Sequence, residues 1–170
     1  LDKQFLTIGI NGFVEGAEFL GYKISPDDEN YKQYAIDILT TIKDLNKRDR
    51  QPHCKFNTEF VPAESLGVKN AKWDKEDGYW VPRDVYNSYF YIVEDTHTTP
   101  LEKFELMGKD FTGCLDGGSA LHMNLDEHLS KAQYEMLMKV AVKDGCNYFT
   151  FNIPNTVCND CGHISKQNLK

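Results

Sequence analysis

The sequence lacks the features that mark several protein classes. It has no apolar run of transmembrane length, no cationic stretch leading into an apolar segment at its start, and no internal repeat. Basic residues are also scarce, because 19 Lys and Arg stand against 26 Asp and Glu and give a formal net charge of -7. Such a chain offers no broad basic face, so neither a nucleic-acid backbone nor an anionic membrane surface is an expected partner.

The common catalytic motifs are absent as well. There is no His-Glu-x-x-His pair and no Gly-x-Ser-x-Gly elbow. Asp116, Ser119 and His122 lie close together and would suit a hydrolase triad, but three such common residue types are often neighbours by chance. The acidic run at residues 94–97 could bind a cation, although a solvated loop is the better interpretation.

What the sequence does contain is an alternation of strand and helix patterns. Its 41% apolar, 12% aromatic and 26% charged residues are typical of a folded domain. We predict strands over residues 4–10, 55–61, 121–125 and 148–153, and an extended segment over 86–93. We predict helices over residues 11–20, 26–45, 62–66, 100–107 and 130–143. This alternation predicts an α/β fold.

Three local expectations follow from individual residues. The first predicted strand reads as buried, and Asn11 is a plausible N-cap for the helix that follows it. Residues 70–84 are expected to form an ordered loop. Trp73, Tyr79 and Trp80 would then pin that loop to the body of the protein.

Five cysteines, an odd number without a secretory signal, do not suit a disulfide framework. Cys158 and Cys161 form Cys-Asn-Asp-Cys before Gly162, the spacing of two thiolates that reach one tetrahedral zinc ion from a tight turn. The ring of His163 is expected to point away, so only half a zinc site is present. Two reduced surface cysteines or a redox pair remain alternatives, although a redox pair usually opens a helix after a strand.

Two further stretches are candidate binding sites. Residues 62–65 (Pro-Ala-Glu-Ser) follow a strand and start a helix, and free N–H groups at a helix start can bind phosphate. Glu64 would repel a phosphate and could instead face a substrate, while a plain capping turn is the simpler alternative. Gly117 and Gly118 let the backbone approach either a ligand or another loop closely.

Taken together, five stretches resemble the C-terminal half of the anaerobic (class III) ribonucleoside-triphosphate reductases, which are glycyl radical enzymes. They occur in the family's order and cover nearly the whole chain. They are Thr-Ile-Gly-Ile-Asn-Gly at 7–12, Pro-Ala-Glu-Ser-Leu at 62–66, Ala-Lys-Trp-Asp at 71–74, Leu-Asp-Gly-Gly-Ser at 115–119, and Cys-Asn-Asp-Cys-Gly-His at 158–163.

The resemblance implies a fold and a set of site residues. Residues 1–154 would be part of a ten-stranded α/β barrel, and residues 155–170 the first half of a zinc-binding module. Glu64 would be catalytic and lie near the ribose. The substrate would also meet Pro62, Ala63, Ser65, Gly117 and Gly118. Cys158 and Cys161 would be the first pair of four zinc ligands.

The resemblance also implies a reaction. The family reduces ribonucleoside triphosphates to deoxyribonucleotides for DNA synthesis, with formate or a thiol system as reductant. An activase that uses S-adenosylmethionine and an iron–sulfur cluster installs the glycyl radical. The radical glycine, the thiyl cysteine and the second zinc pair are expected outside residues 1–170. The chain alone should then be an inactive fragment of a cytoplasmic, homodimeric enzyme.

Two alternatives stay open at this point. One is a zinc-knuckle interaction module on an α/β domain without chemistry. The other is a different glycyl radical enzyme that acts on a small acid.

Overall fold

A computed structural model of the 170-residue chain describes residues 4–60, 63–95, 97–125, 128–153 and 155–165. The side chain of Glu64 also lies outside what is described. The elements, in chain order, are β1 (Phe5–Gly9), α1 (Phe13–Phe19), α2 (Glu29–Arg48), β2 (Lys55–Phe60), α3 (Glu64–Glu76), α4 (Pro100–Leu106), α5 (Lys109–Thr112), β3 (Gly118–Ser119), β4 (Leu121–Asn124), α6 (Lys131–Asp144), β5 (Phe149–Asn152), β6 (Thr156–Val157) and β7 (Ile164–Ser165).

The first five strands are all parallel. β2 lies between β1 and β3, and β4 pairs with β5. Only Ala120 separates β3 from β4, so residues 118–124 join the two sheets into one open run of parallel strands. The predicted α/β class is therefore confirmed. The described strands do not close into a barrel, so the ten-stranded barrel is not seen in this chain.

One face of this parallel run packs against helices. The buried side chains of Phe60, Leu121 and Met123 alternate with polar positions along β2 and β4, as expected for strands with one buried face. The ring of Phe60 packs edge-on against Phe90 at 4.4 Å and Phe13 at 5.4 Å between centroids. Aromatic rings prefer this geometry, so Phe60 anchors the end of β2 in the core.

α3 is longer than the sequence pattern indicated. It continues to Glu76, so the loop predicted at residues 70–84 is wrong over residues 70–76. Trp73, Tyr79 and Trp80 are 53%, 70% and 51% exposed, but the ring of Trp80 contacts that of Phe19 in α1 at 5.9 Å between centroids, so the prediction that Trp80 pins this region is supported. Asn70 and Asp74 have low helix propensity, so the sequence pattern did not indicate a helix here. Packing of α3 against the neighbouring loop outweighs that low propensity.

The predicted extended segment at residues 86–93 is not a strand. Residues 87–91 are all buried in succession, which neither a strand with one buried face nor a surface loop would show. Hydrogen bonds to Glu15 hold the segment instead. The carboxylate of Glu15 accepts from the Asn87 backbone N–H at 3.1 Å and from Asn87 Nδ2 at 2.7 Å, and it also binds Arg83 at 2.7 Å.

Two expectations at the start of the chain are also wrong. Gly12, with φ +77°, caps α1, while Asn11 Nδ2 donates to Tyr86 O at 2.9 Å and Ser88 Oγ at 3.0 Å. The Asn11 amide therefore holds the 86–88 segment rather than the helix. β1 is mostly exposed because no described strand covers its outer edge.

Strands β6 and β7 form a small antiparallel hairpin at the end of the described residues. A domain boundary at residue 155 stays a prediction. No helix in the described part of the chain combines the length and the apolar character needed to cross a bilayer.

Candidate functional site

The start of α3 lies just beyond the carboxyl end of a parallel strand. β2 ends at Phe60, and Ala63 is the N-cap of α3, with no side-chain hydrogen bond to the first turn. The first N–H groups of a helix have no partner within it, and together with the helix dipole they attract an anion. Of the predicted residues here, Ser65 is exposed, and Pro62 and the Glu64 side chain lie outside the described residues.

Close packing fixes the first turns of α3 against the loop that follows it. A Cβ on Gly67 would lie 2.5 Å from Tyr86 O, so only glycine allows this approach. Tyr86 Oη also donates to Asp74 Oδ2 at 2.7 Å. Burial, and then the bond and charge of Asp74, raise the pKa of Tyr86 to about 12. Tyr86 therefore stays protonated and keeps this bond at physiological pH.

The glycine pair has two different environments. A Cβ on Gly117 would lie 2.7 Å from Asn57 Nδ2 and 2.9 Å from Glu59 Cβ, so its close approach is to β2. Gly118 has φ +89° and open space where a side chain would be. Glycine is thus required at Gly117 for packing and at Gly118 for its backbone conformation.

Asp116 belongs to this loop and has a structural partner. Its Oδ1 accepts the Thr58 backbone N–H at 2.7 Å, while Gly117 N–H donates to Thr58 O at 2.9 Å. The loop is therefore bound to β2 through both the N–H and the carbonyl group of Thr58. The carboxylate is engaged there and does not orient His122, so the hydrolase triad has no support.

Asp95, in the acidic run, hydrogen-bonds to two residues that follow it. Asp95 accepts from the His97 backbone N–H and from Thr98 Oγ1, both at 2.8 Å. These bonds fold the loop on itself, which agrees with a solvated loop rather than a cation site.

Two cavities lie beside these elements. One of about 660 Å³ is lined by Gly117, Gly118, Glu59, His122 and Cys146, among others. A second of about 410 Å³ contains Ala63 in its wall. The structure therefore does not bring the predicted substrate residues into a single cavity. His122 lines both and connects them.

The face of the strands opposite the helices is polar. Thr7 Oγ1 donates to Asn57 Oδ1 at 2.8 Å, and Asn152 Nδ2 donates to Asn124 Oδ1 at 3.1 Å. Sequence reasoning did not select Glu59, Asn124 or Asn152. The available signal was the alternation of polar and apolar residues in β2 and β4, which identifies a second, polar face.

Cys158 and Cys161 lie in the turn between β6 and β7. Gly162, with φ +71°, donates its N–H to Cys158 O at 2.9 Å. Hydrogen bonds from the backbone N–H of Cys161 and of Asp160, and from the Cys161 thiol, hold the pKa of Cys158 below its usual value. Metal ligation needs the thiolate, so this turn favours the form that binds zinc.

The Cys158–Cys161 pair fits half of a zinc site. Both thiols are free and exposed, and two sulfur donors on one tight turn fit half of a tetrahedral zinc site. No group of three or more His, Cys, Asp or Glu side chains that could hold a metal occurs among the described residues. His163 contributes its carbonyl oxygen to the turn, where it accepts the Cys158 N–H at 2.9 Å.

Comparison with known proteins decides the family. The profile of the anaerobic ribonucleoside-triphosphate reductases matches residues 1–170. The chain belongs to this family. No match to a curated protein sequence was found. The assignment favours the reductase interpretation over a non-catalytic zinc-knuckle module.

Solved structures of anaerobic ribonucleotide reductases share the fold. One covers 97% of this chain at 28% identity with a TM-score of 0.83. The structure of the Thermotoga maritima enzyme with MES in the active site covers 96% of this chain at 28% identity with a TM-score of 0.82. The structure of that enzyme in complex with dATP and CTP covers 96% of this chain at 27% identity with a TM-score of 0.80. The chain spans 27% to 28% of the length of these reductases.

Proposed function

We propose that residues 1–170 form part of the catalytic body of an oxygen-sensitive, cytoplasmic enzyme that reduces ribonucleoside triphosphates to deoxyribonucleotides. The observation that carries the proposal is the family match over the whole chain, together with structural similarity to reductases at a TM-score of 0.83. Because the chain spans only 27% of that reductase, the activity is proposed for the full-length enzyme and not for residues 1–170 alone.

The start of α3 is proposed to bind the nucleotide phosphates. This assignment is supported by the absence of a side-chain cap at Ala63 and by the position beyond the carboxyl end of β2, where ligands bind in open α/β sheets. Backbone N–H groups around Pro62, Ala63 and Ser65 would surround the phosphates. Pro62 has no N–H to donate and would only set the backbone conformation there. Gly117 and Gly118 would border the substrate from the neighbouring cavity.

Glu64 is proposed as the catalytic carboxyl group. A glycyl radical held outside this chain, installed by an S-adenosylmethionine iron–sulfur activase, would supply the hydrogen-abstracting chemistry, with formate or a thiol as reductant. Within residues 1–170, the carboxylic acid of Glu64 would donate its proton to the ribose hydroxyl, which then leaves as water while Glu64 becomes the carboxylate. Proton transfer at a leaving group contributes roughly 10²- to 10⁴-fold to rate, so the role is testable.

Cys158 and Cys161 are proposed as half of a structural zinc site. The lowered pKa of Cys158 supports this assignment. We expect Cys158→Ser in the full-length enzyme to lower its zinc content measured by atomic emission. Unchanged zinc stoichiometry would remove the assignment. A homodimer is the proposed assembly, and neither nucleic acid nor a membrane is a proposed partner.

The experiment for the reaction uses the full-length enzyme under anaerobic conditions, with activase, S-adenosylmethionine, formate and CTP. We expect dCTP to form, and we expect Glu64→Gln to lower turnover by at least about 100-fold while CTP binding changes little. Glu76→Gln, at the other end of α3, is the matched control and should keep full turnover. Absence of dCTP with the unaltered enzyme would refute the function, whereas full activity of Glu64→Gln would refute only the residue's role.

A further inference from the structure

Two asparagines end neighbouring parallel strands at the wall of the smaller cavity. Asn124 and Asn152 are the last residues of β4 and β5 and stand opposite each other in the strand register. Asn152 Nδ2 donates to Asn124 Oδ1 at 3.1 Å, and both side chains are exposed. Both line the 410 Å³ cavity that also contains Ala63. The pair therefore shares one cavity with the start of α3.

The amide pair keeps unused hydrogen-bonding capacity. One bond engages a single hydrogen of Asn152 and one lone pair of Asn124. Asn124 Nδ2 then presents donors and Asn152 Oδ1 presents an acceptor, side by side. A vicinal diol has the matching chemistry, because each hydroxyl both donates and accepts. A phosphate, which only accepts, would use only half of this arrangement.

Aromatic, apolar and polar side chains line the rest of the cavity, and Glu94 adds one carboxylate to its wall. Tyr86, Tyr89 and Tyr91 contribute aromatic surface to its wall. Tyr91 Oη also donates to His122 O at 3.2 Å, which fixes β4 two residues before Asn124. The asparagine pair is thus held on a positioned strand and not on a loop, as a specific binding element requires.

We propose that Asn124 and Asn152 bind the 2′,3′-diol of the ribose and distinguish ribonucleotides from 2′-deoxyribonucleotides. This inference rests on the proposed function, since it places the ribose beside the start of α3. The reaction removes the 2′ hydroxyl, so the pair would bind the substrate more tightly than the product. It acts as a specificity element and not as a catalytic residue.

The first test measures binding to the unactivated full-length enzyme, which needs no radical. Equilibrium dialysis with CTP, 2′-deoxycytidine triphosphate and 3′-deoxycytidine triphosphate should show weaker binding for each deoxy analogue. We expect roughly 5- to 10-fold per hydroxyl, the effect of one or two neutral hydrogen bonds. Equal affinity for all three nucleotides would overturn the proposal without any variant being made.

The second test removes the amides. Asn124→Ala with Asn152→Ala should weaken CTP binding by roughly 25- to 100-fold, and binding of 2′-deoxycytidine triphosphate, which keeps its 3′ hydroxyl, by only roughly 5- to 10-fold, so that the ratio of the two falls toward one. Asn30→Ala, an exposed amide on α2, is the control and should preserve the ratio. A ratio unchanged in the double variant would refute the role of the pair.

The two proposals fail in different ways. If the unaltered enzyme neither binds CTP nor reduces it, the proposed function is wrong. If it binds and reduces CTP but the double variant keeps the original ratio, the function stands and the asparagine assignment is wrong.

Discussion

α3 and α6 are helices of similar length, 13 and 14 residues, but they begin in opposite ways. α6 starts with a capping box: Ser130 Oγ accepts the Gln133 N–H at 3.4 Å, and Gln133 Oε1 accepts the Ser130 N–H at 2.8 Å. α3 starts at Ala63, whose side chain cannot accept a hydrogen bond. A side-chain cap contributes about 1 kcal/mol, so α3 lacks a stabilising contact that α6 has, and its first turn is the one proposed to bind a ligand.

The same two helices also differ at their fourth residue. In α6 this is Tyr134, whose ring packs 5.4 Å from that of Phe151 in β5. In α3 it is Gly67, which brings the helix against the backbone of Tyr86. α6 therefore supports the sheet through side-chain packing, whereas α3 is positioned by backbone contact. The difference separates a helix held by side-chain packing from the helix whose start is proposed to bind phosphate.

The largest expected effect comes from giving α3 the cap that it lacks. Ala63→Asp supplies an acceptor for the free N–H groups and a negative charge where phosphate is proposed to bind. We expect CTP affinity of the full-length enzyme to fall by roughly 10- to 100-fold, as measured by equilibrium dialysis. Ser130→Asp makes the same change at α6 and should leave CTP affinity unaltered. Equal CTP affinity in both variants would mean that the two helix starts do not differ in function.

A smaller effect should follow when the backbone contact of α3 is disturbed. Gly67→Ala places a methyl group 2.5 Å from Tyr86 O, and the overpacking should cost about 1–3 kcal/mol locally. Hydrogen–deuterium exchange of the full-length enzyme should then be faster in α3 and unchanged in α6. Gly9→Ala is the control, because no atom lies within 4 Å of the added Cβ. Unchanged exchange in α3 would show that the contact does not position the helix.

The smallest expected effect is the loss of the α6 cap. Ser130→Ala removes the acceptor for the Gln133 N–H, which should cost about 1 kcal/mol. Exchange of the first-turn amides of α6 should accelerate by roughly fivefold, because opening rates follow local stability. CTP affinity should not change. A loss of CTP affinity here would contradict the division of roles between the helices.

Local sequence patterns were enough to predict some of this fold. Each of α2, α6, β2 and β4 has one buried face. The spacing of apolar residues within each stretch shows that face, so the sequence predicts these elements. The four-residue α5 has too few residues to show a period. The 87–91 segment was misread because Glu15, 72 residues away from Asn87, supplies its hydrogen bonds.

The candidate site was predictable only where its signal is local. The start of α3 and the Cys158–Cys161 turn were identified because each lies within one short stretch. The pairing of Asn124 with Asn152 depends on the register of two strands 28 residues apart. Neither stretch of sequence indicates the register of the two strands, so the sequence does not show that Asn124 lies opposite Asn152.

Phe60 lies three residues before Ala63 and is enclosed by the rings of Phe13 and Phe90. The end of β2, from which the chain leads to the proposed phosphate site, is therefore fixed in a closely packed interior. Alignment in catalysis is sensitive to shifts of about 1 Å, which can cost about 100-fold in rate. Replacing the fully buried ring of Phe90 would therefore loosen the end of β2 together with the core, and a shift passed on to the proposed site would lower the rate of the full-length enzyme.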